Sequence, residues 1–312
     1  MSAYTPADWF ALLPVAGMLA ALLLIGFFAR GGRLRALCWL MGPPAIAGTH
    51  WLLLTEPAGV RMVALCLVLF FWMKAVVTAS QAKPDPGLAS GAVRKGAPGA
   101  VGWLAWALLW PGMRSAPGKD RAGASGTGLM GCLCIVAGVA SIAAGHFVWR
   151  VTGNGWLASP LLLAGISLCL HYGLFGVIAW GWRRKPLFRN PFASANLRDF
   201  WGKRWNIAYT EMMQEAVQRP LRRRPRLATF AIFVFSGLLH EVAVSLPVMA
   251  GFGLPTLYFA LHGAAMTLEN RVVTPGTWPA RVWTALWVIV PLPLVFHPWF
   301  LRGVVWPIGG MT

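Results

Sequence analysis

His240 lies about thirteen residues into an apolar run, inside the stretch Phe235-Ser236-Gly237-Leu238-Leu239-His240-Glu241. At ~1.5 Å per residue that is roughly 20 Å along a helix. An imidazole at that depth is costly to desolvate, so its presence needs a chemical reason. A neutral ring there can accept a proton, which makes His240 the candidate general base. Glu241 points about 100° away on a helix and takes a supporting or helix-pairing role. Ser236, four residues back, shares the face of His240, and with Gly237 reads as a small-residue packing contact. The stretch from Leu197 to Asn206 ends 34 residues before His240 and holds Asp199, Trp201, Lys203, Arg204 and Trp205. Farther along, His262 and Glu269 are nearly two turns apart and share a face, as a helix-pairing pair or as a wall of the same cavity.

The elements that must hold these groups follow from composition. The chain has 312 residues, of which 57% are hydrophobic. A soluble domain does not carry that apolar fraction, so an all-α polytopic membrane protein is expected. There are 27 Lys and Arg against nine Asp and Glu, a formal charge of +18. Nucleic acid is rejected as a partner, because the charges sit in loops between apolar runs and leave no basic soluble domain. Contact with anionic membrane lipid and attraction of an anionic cosubstrate fit better. Cys38, Cys66, Cys132, Cys134 and Cys169 all lie in apolar runs and read as packing thiols. Neither a disulfide framework nor a metal site is expected.

Runs long enough to span as helices are read at 9–29, 36–54, 60–79, 127–149, 156–180, 227–250, 254–271 and 281–301. Residues 101–112, VGWLAWALLWPG, are too few to span and read as interfacial or re-entrant. Pro43-Pro44 interrupts the second run, and Pro291 with Pro293 the eighth. The first run has Arg30, Arg33 and Arg35 after it and no basic residue before it, which suits an uncleaved anchor with its N-terminus outside. With eight spans, 23 basic residues fall on one side, while Arg61, Arg150 and Arg302 flank the other and Lys74 lies within a span. That bias makes the basic loops cytoplasmic and both termini extracytoplasmic, in a bacterial inner membrane. The organisation expected is one membrane-embedded domain over 1–312, with N-terminal helices to residue 80, a basic loop over 81–126 and a core over 127–312. Outside its tryptophan segment, the 82–126 stretch reads as a mobile cytoplasmic loop.

Segment 183–226 carries 12 basic residues together with many aromatic ones. Leu197, Phe200, Trp201, Trp205, Ala208, Met212 and Val217 recur near helical spacing, which predicts one amphipathic helix at the membrane surface. Asn196 is its expected N-cap and Pro220 its stop. A plain positive stop signal needs neither the aromatic residues nor Asp199. The functional reading is a docking surface for an anionic carrier such as coenzyme A.

PLFRNPFASANLRDFWGKRWN, FSGLLHE and HGAAMTLEN, in that order, resemble the motifs of the wax synthase-like branch of the membrane-bound O-acyltransferase superfamily. The resemblance covers roughly residues 186–306. It implies acyl transfer from acyl-CoA to a hydroxyl, with Asn206 and His240 as the paired active residues. Acyl-CoA is then a cosubstrate, and no cofactor is permanently bound. Acyl transfer needs a base for the hydroxyl proton and a group that orients the substrates or donates to the oxyanion, and His240 and Asn206 suit these roles. The expected acceptor is a long-chain fatty alcohol, giving wax ester, and Trp201, Lys203, Arg204, Trp205, Asp199, Ser236, Glu241, His262 and Glu269 are the expected binding residues. A close variant acetylates a lipid, terpenoid or polyketide hydroxyl. Two other classes compete. A metal enzyme would use His240, Glu241, His262 and Glu269, but HEVAV lacks the second histidine of a helix-borne zinc motif. A transporter or lipid-binding protein would use intramembrane His and Glu for proton coupling.

Overall fold

The computed structural model describes residues 3–29, 34–81, 99–114 and 126–311. Most of the 82–126 loop lies outside these residues, as do Arg30 and Arg33. All regular structure among the described residues is helical. This is the form in which one apolar segment satisfies its own backbone in lipid. The chain is an integral membrane protein. Among the described residues, five helices are long and apolar enough to cross a membrane: Ala58–Gln81, Thr127–Thr152, Gly155–Gly181, Leu227–Val248 and Trp278–Val295.

The other three expected spans are also helices, but fall short for visible reasons. Leu12–Phe28 has only 17 residues. Arg35–Leu52 carries Arg35, Thr49 and His50, and Leu254–Val272 carries His262, Glu269 and Arg271. Helix 35–52 runs unbroken through Pro43 and Pro44. There the Trp72 indole donates to the Cys38 carbonyl at 2.8 Å and lies against Gly42, leaving no room for a Cβ. The eighth expected run does break. Its first helix, Trp278–Ile289, ends just before Pro291, a short helix follows over Leu292–Val295, and a new helical stretch begins at Pro298.

Helices 127–152 and 155–181 pack along a seam of small residues. A Cβ on Gly131, Gly138 or Gly145 would come within 3 Å of Val177, Cys169 or Leu162. Without a hydrophobic drive between helices in lipid, such close backbone approach is what holds a pair together. The first three helices form the main core with the short Ala100–Leu109 helix and with residues 207–217.

The amphipathic segment is not one helix. Asn196 does cap a turn, its Oδ1 accepting from the Asp199 N–H at 2.7 Å. That turn continues as a π-helix over Phe200–Arg204 and then stops. Trp205 is extended and Asn206 is left-handed, with φ 47° and ψ 63°. A second helix runs from Ile207 to Met213 and continues as a π-helix over Gln214–Gln218. Helical spacing of apolar residues persisted across the break, so periodicity could not reveal it. Another π-helical stretch, Glu241–Ser245, begins directly after His240. Such wide turns often accompany functional sites in helices.

Candidate active site

The break at Trp205-Asn206 matters because of what it exposes. Non-glycine residues seldom adopt the left-handed conformation, and holding one there costs on the order of 1 kcal/mol unless the surroundings over-determine it. Asn is among the most tolerant side chains at such a position. Here the flanks are pinned. The Ile207 N–H donates to the Leu187 carbonyl at 2.9 Å, and the Arg189 N–H to the Arg204 carbonyl at 2.8 Å. The Asn206 Oδ1 caps the following helix, accepting from the Tyr209 N–H at 3.1 Å. The amide oxygen is thereby committed to the backbone, while Nδ2 makes no hydrogen bond among the described residues. The Tyr209 hydroxyl donates to the Ile232 carbonyl at 2.7 Å, which fastens this helix to helix 227–248.

On that helix the His240 Nδ1 lies 2.7 Å from the Ser236 carbonyl oxygen. A carbonyl can only accept, so Nδ1 carries the proton and the Nε2 lone pair is left for chemistry. The ring leans on Phe259, with centroids 4.3 Å apart.

Asn206 and His240 line one cavity of about 230 Å³. Trp201, Trp205, Ser236 and Phe259 share its wall. Phe259, Tyr209, Arg198, Gln214 and Gln218 also line it and were not singled out from sequence. Their residue types carry no distinguishing signal, and only packing brings them there. Gln214 and Gln218 are shared with a neighbouring cleft of about 520 Å³, which also holds Arg114, Arg219 and Arg222. In it Arg219 pairs with the Glu215 carboxylate.

The remaining expected site residues stand around the cavity. Glu269 is fully buried and accepts the Leu197 and Arg198 N–H groups, at 2.5 and 3.2 Å. It thus anchors the first turn of the Trp201 segment. His262 is buried behind Trp201, ring to ring at 5.3 Å and nearly perpendicular. Its Nδ1 donates to the Tyr258 carbonyl at 2.8 Å. Glu241 Oε1 accepts from the N–H groups of Gly253 and Thr256, both at 3.0 Å, and from the Thr256 hydroxyl at 2.8 Å. One turn earlier, Gly237 lets the Thr256 backbone approach so closely that a Cβ would sit 2.7 Å from its Cα. Both residues therefore lie on the seam between the two helices.

Asp199 gathers its neighbours. The Arg204 Nε donates to it at 2.7 Å, the Ala195 N–H at 3.1 Å, and the Lys203 ammonium is 3.7 Å away. Burial favours its protonated form, but the hydrogen bonds from Arg204 and Ala195 and the charges of Arg204 and Lys203 outweigh that and hold the carboxyl below its ordinary range. Lys203 and Arg204 thus face Asp199 and are not among the cavity-lining residues. No three His, Cys, Asp or Glu side chains converge as metal ligands among the described residues.

Residues 182–261 match the family model described as membrane bound O-acyl transferase family. The chain is 31% identical over 164 residues to the probable long-chain-alcohol O-fatty-acyltransferase 7 of Arabidopsis thaliana, covering 46% of this chain and 47% of that protein. It is 34% identical over 98 residues to the long-chain-alcohol O-fatty-acyltransferase of Simmondsia chinensis, 28% of each chain. It is 28% identical over 142 residues to the acyl-CoA–sterol O-acyltransferase 1 of Arabidopsis thaliana, 38% of this chain and 39% of that one. The chain spans less than half the length of these relatives. The motifs bearing Asn206 and His240 lie inside the matched segment, while HGAAMTLEN begins one residue beyond it. In that segment, and in the relatives that share its sequence, the resemblance is to the wax synthase-like branch of the membrane-bound O-acyltransferase superfamily.

Proposed function

We propose that the chain is an acyl-CoA-dependent O-acyltransferase that esterifies the hydroxyl of an apolar alcohol, a long-chain fatty alcohol giving wax ester. The observation that carries this reading is the shared cavity. It brings together a histidine with a free Nε2 and an asparagine whose Nδ2 is uncommitted.

In this reading the alcohol proton passes to His240 Nε2 as the oxygen attacks the thioester carbonyl. Asn206 Nδ2 donates to the oxygen on which negative charge develops. The tetrahedral intermediate collapses, the C–S bond breaks, and the imidazolium returns the proton to the departing thiolate. The products are an ester and free coenzyme A, with no acyl-enzyme. A half-buried, largely apolar cavity limits hydrolysis of the thioester. The phosphorylated end of acyl-CoA lies in the cleft of Arg114, Arg219 and Arg222, where guanidinium groups suit phosphate, and the acyl arm passes Gln214 and Gln218 toward His240. Trp201, Trp205 and Ser236 wall the substrate, while Asp199, Lys203, Arg204, Glu241, His262 and Glu269 hold the walls in place. The whole chain serves as one membrane-embedded domain in a bacterial inner membrane, with the 183–226 segment cytoplasmic and both termini outside.

The test is incubation of membranes containing the protein with labelled acyl-CoA and a panel of fatty alcohols and sterols, followed by lipid analysis. Labelled ester formed with fatty alcohol is the expected outcome. No ester with any alcohol, from protein that is folded and inserted, overturns the reading.

A further inference from the structure

Lys74 is the one lysine read within a span from the sequence, and it is 1% exposed on helix 58–81. All three of its ammonium protons are used. Nζ donates to the carbonyls of Trp106, Trp110 and Gly112 at 3.2, 2.7 and 2.8 Å, and lies 3.7 Å from the Trp106 ring centroid. These carbonyls belong to the end of helix 100–109 and the turn after it. There the last carbonyls have no partner within the helix and the dipole is negative. The cation thus caps the short helix from inside the membrane.

The next two residues are held by the opposite charge. Glu211 Oε2 accepts the N–H groups of Met113 and Arg114 at 3.1 and 3.2 Å. Its other oxygen is 3.7 Å from the Arg114 guanidinium, which also donates to Gln214 at 3.1 Å. Lysine takes carbonyls, glutamate takes N–H groups, and the two grip consecutive stretches of one turn. Through that turn, helix 58–81 is tied to the helix that starts at Asn206 and carries Glu211 on its second turn. An ammonium buried in a span is expensive, and a role in fixing a functional group explains its retention better than general packing.

We propose that Lys74 and Glu211 are positioning residues: they clamp residues 106–114 between them and thereby fix the helix whose cap, Asn206, contributes to the transition state. The proposal rests on the acyltransferase reading. Neither residue touches the reacting atoms. Both act through the placement of Asn206, and displacement of such a group by about 1 Å is enough to cost on the order of 100-fold in rate.

The test is a double-mutant cycle in purified full-length protein. Lys74→Met and Glu211→Gln are each made alone and in an Asn206→Ala background, and the turnover of fatty alcohol at saturating acyl-CoA is measured. Glu211→Gln conserves volume and lies outside the spans, so it serves if Lys74→Met does not fold. Each single variant is expected to lose about tenfold or more in kcat, and each loss should shrink to under about twofold once Asn206 is gone, because the groups act on one transition state. A loss that multiplies in full with Asn206→Ala, an unchanged kcat in both variants, or failure of both to accumulate as folded protein overturns the clamp. Wild-type turnover is measured in the same series, so a chain that forms no ester at all refutes the acyltransferase reading instead.

Discussion

The Ser236 carbonyl oxygen accepts a hydrogen bond from Nδ1–H of His240 across 2.7 Å within a single turn of helix. This local bond sets the tautomer before any substrate arrives. It fixes Nε2 as the basic nitrogen and aligns the ring against Phe259. A histidine without such a partner would divide its proton between two nitrogens and lose part of its competence as a base.

His240→Ala is therefore expected to abolish ester formation while the protein still inserts and accumulates. In the wild type, the rate should fall as pH drops and Nε2 becomes protonated, since the imidazolium has no lone pair to offer. Ester synthesis by purified protein across a pH series checks both. Full activity in the alanine variant would return His240 to a structural role and overturn its assignment as the base.

Asn206 combines a cap with a candidate donor, and substitution separates the two. Asn206→Asp keeps an oxygen for the Tyr209 N–H but removes the donor. Its stability should stay near wild type, while kcat falls by ~10²-fold or more, the scale of losing one oriented oxyanion donor. Asn206→Gly suits the left-handed backbone yet loses both functions, so it should be about equally inactive while its stability changes by only about a few tenths of a kcal/mol, the usual cost of Gly at a cap. Melting temperature and kcat, measured on both variants, decide the matter. An active Asp variant would refute the donor role.

The cleft beside the cavity leads to a contrast between two sets of cations. Arg219→Ala and Arg222→Ala should raise KM for acyl-CoA with kcat little changed, as expected for lost ground-state binding of a remote group. With an acyl-pantetheine substrate, which lacks the nucleotide, the same variants should match the wild type. Lys203→Ala should do less in either assay, because Lys203 is exposed and faces Asp199. A larger effect at Lys203 than at Arg219 and Arg222 would place the phosphates on the other side of the segment.

Topology gives a further prediction. A reporter fused at Arg224 should lie on the cytoplasmic side and one at residue 311 on the opposite side, in line with 23 basic residues on one side of the expected arrangement. Both reporters on one side would break the eight-span reading and favour a smaller number of crossings, such as the five helices with clear spanning length.

Much of this was legible without coordinates, because lipid is an unforgiving solvent. A segment crossing it must be apolar, long and helical, so composition and run length declared the helical class and the approximate bounds of most long helices. A histidine beside a glutamate inside an apolar run stood out for the same reason, since polar groups are rare there. The break at Asn206 was not legible. The apolar spacing around it runs on through the interruption, and a left-handed residue leaves no mark on periodicity. Nor was the division of labour among the charged residues. Glu241 read as a helix-pairing group and Glu269 as a helix-pairing group or a cavity wall, but the backbone N–H groups that each one takes, presented by other helices, could not be named from the sequence. Lys74 was visible as an anomaly, but its three carbonyl partners lie 32 to 38 residues away, in a turn that sequence alone cannot bring to it. Solvent dictates which residues enter the membrane, and it acts on each segment separately. Which polar groups meet there depends on contacts between segments, and those exist only once the helices are packed.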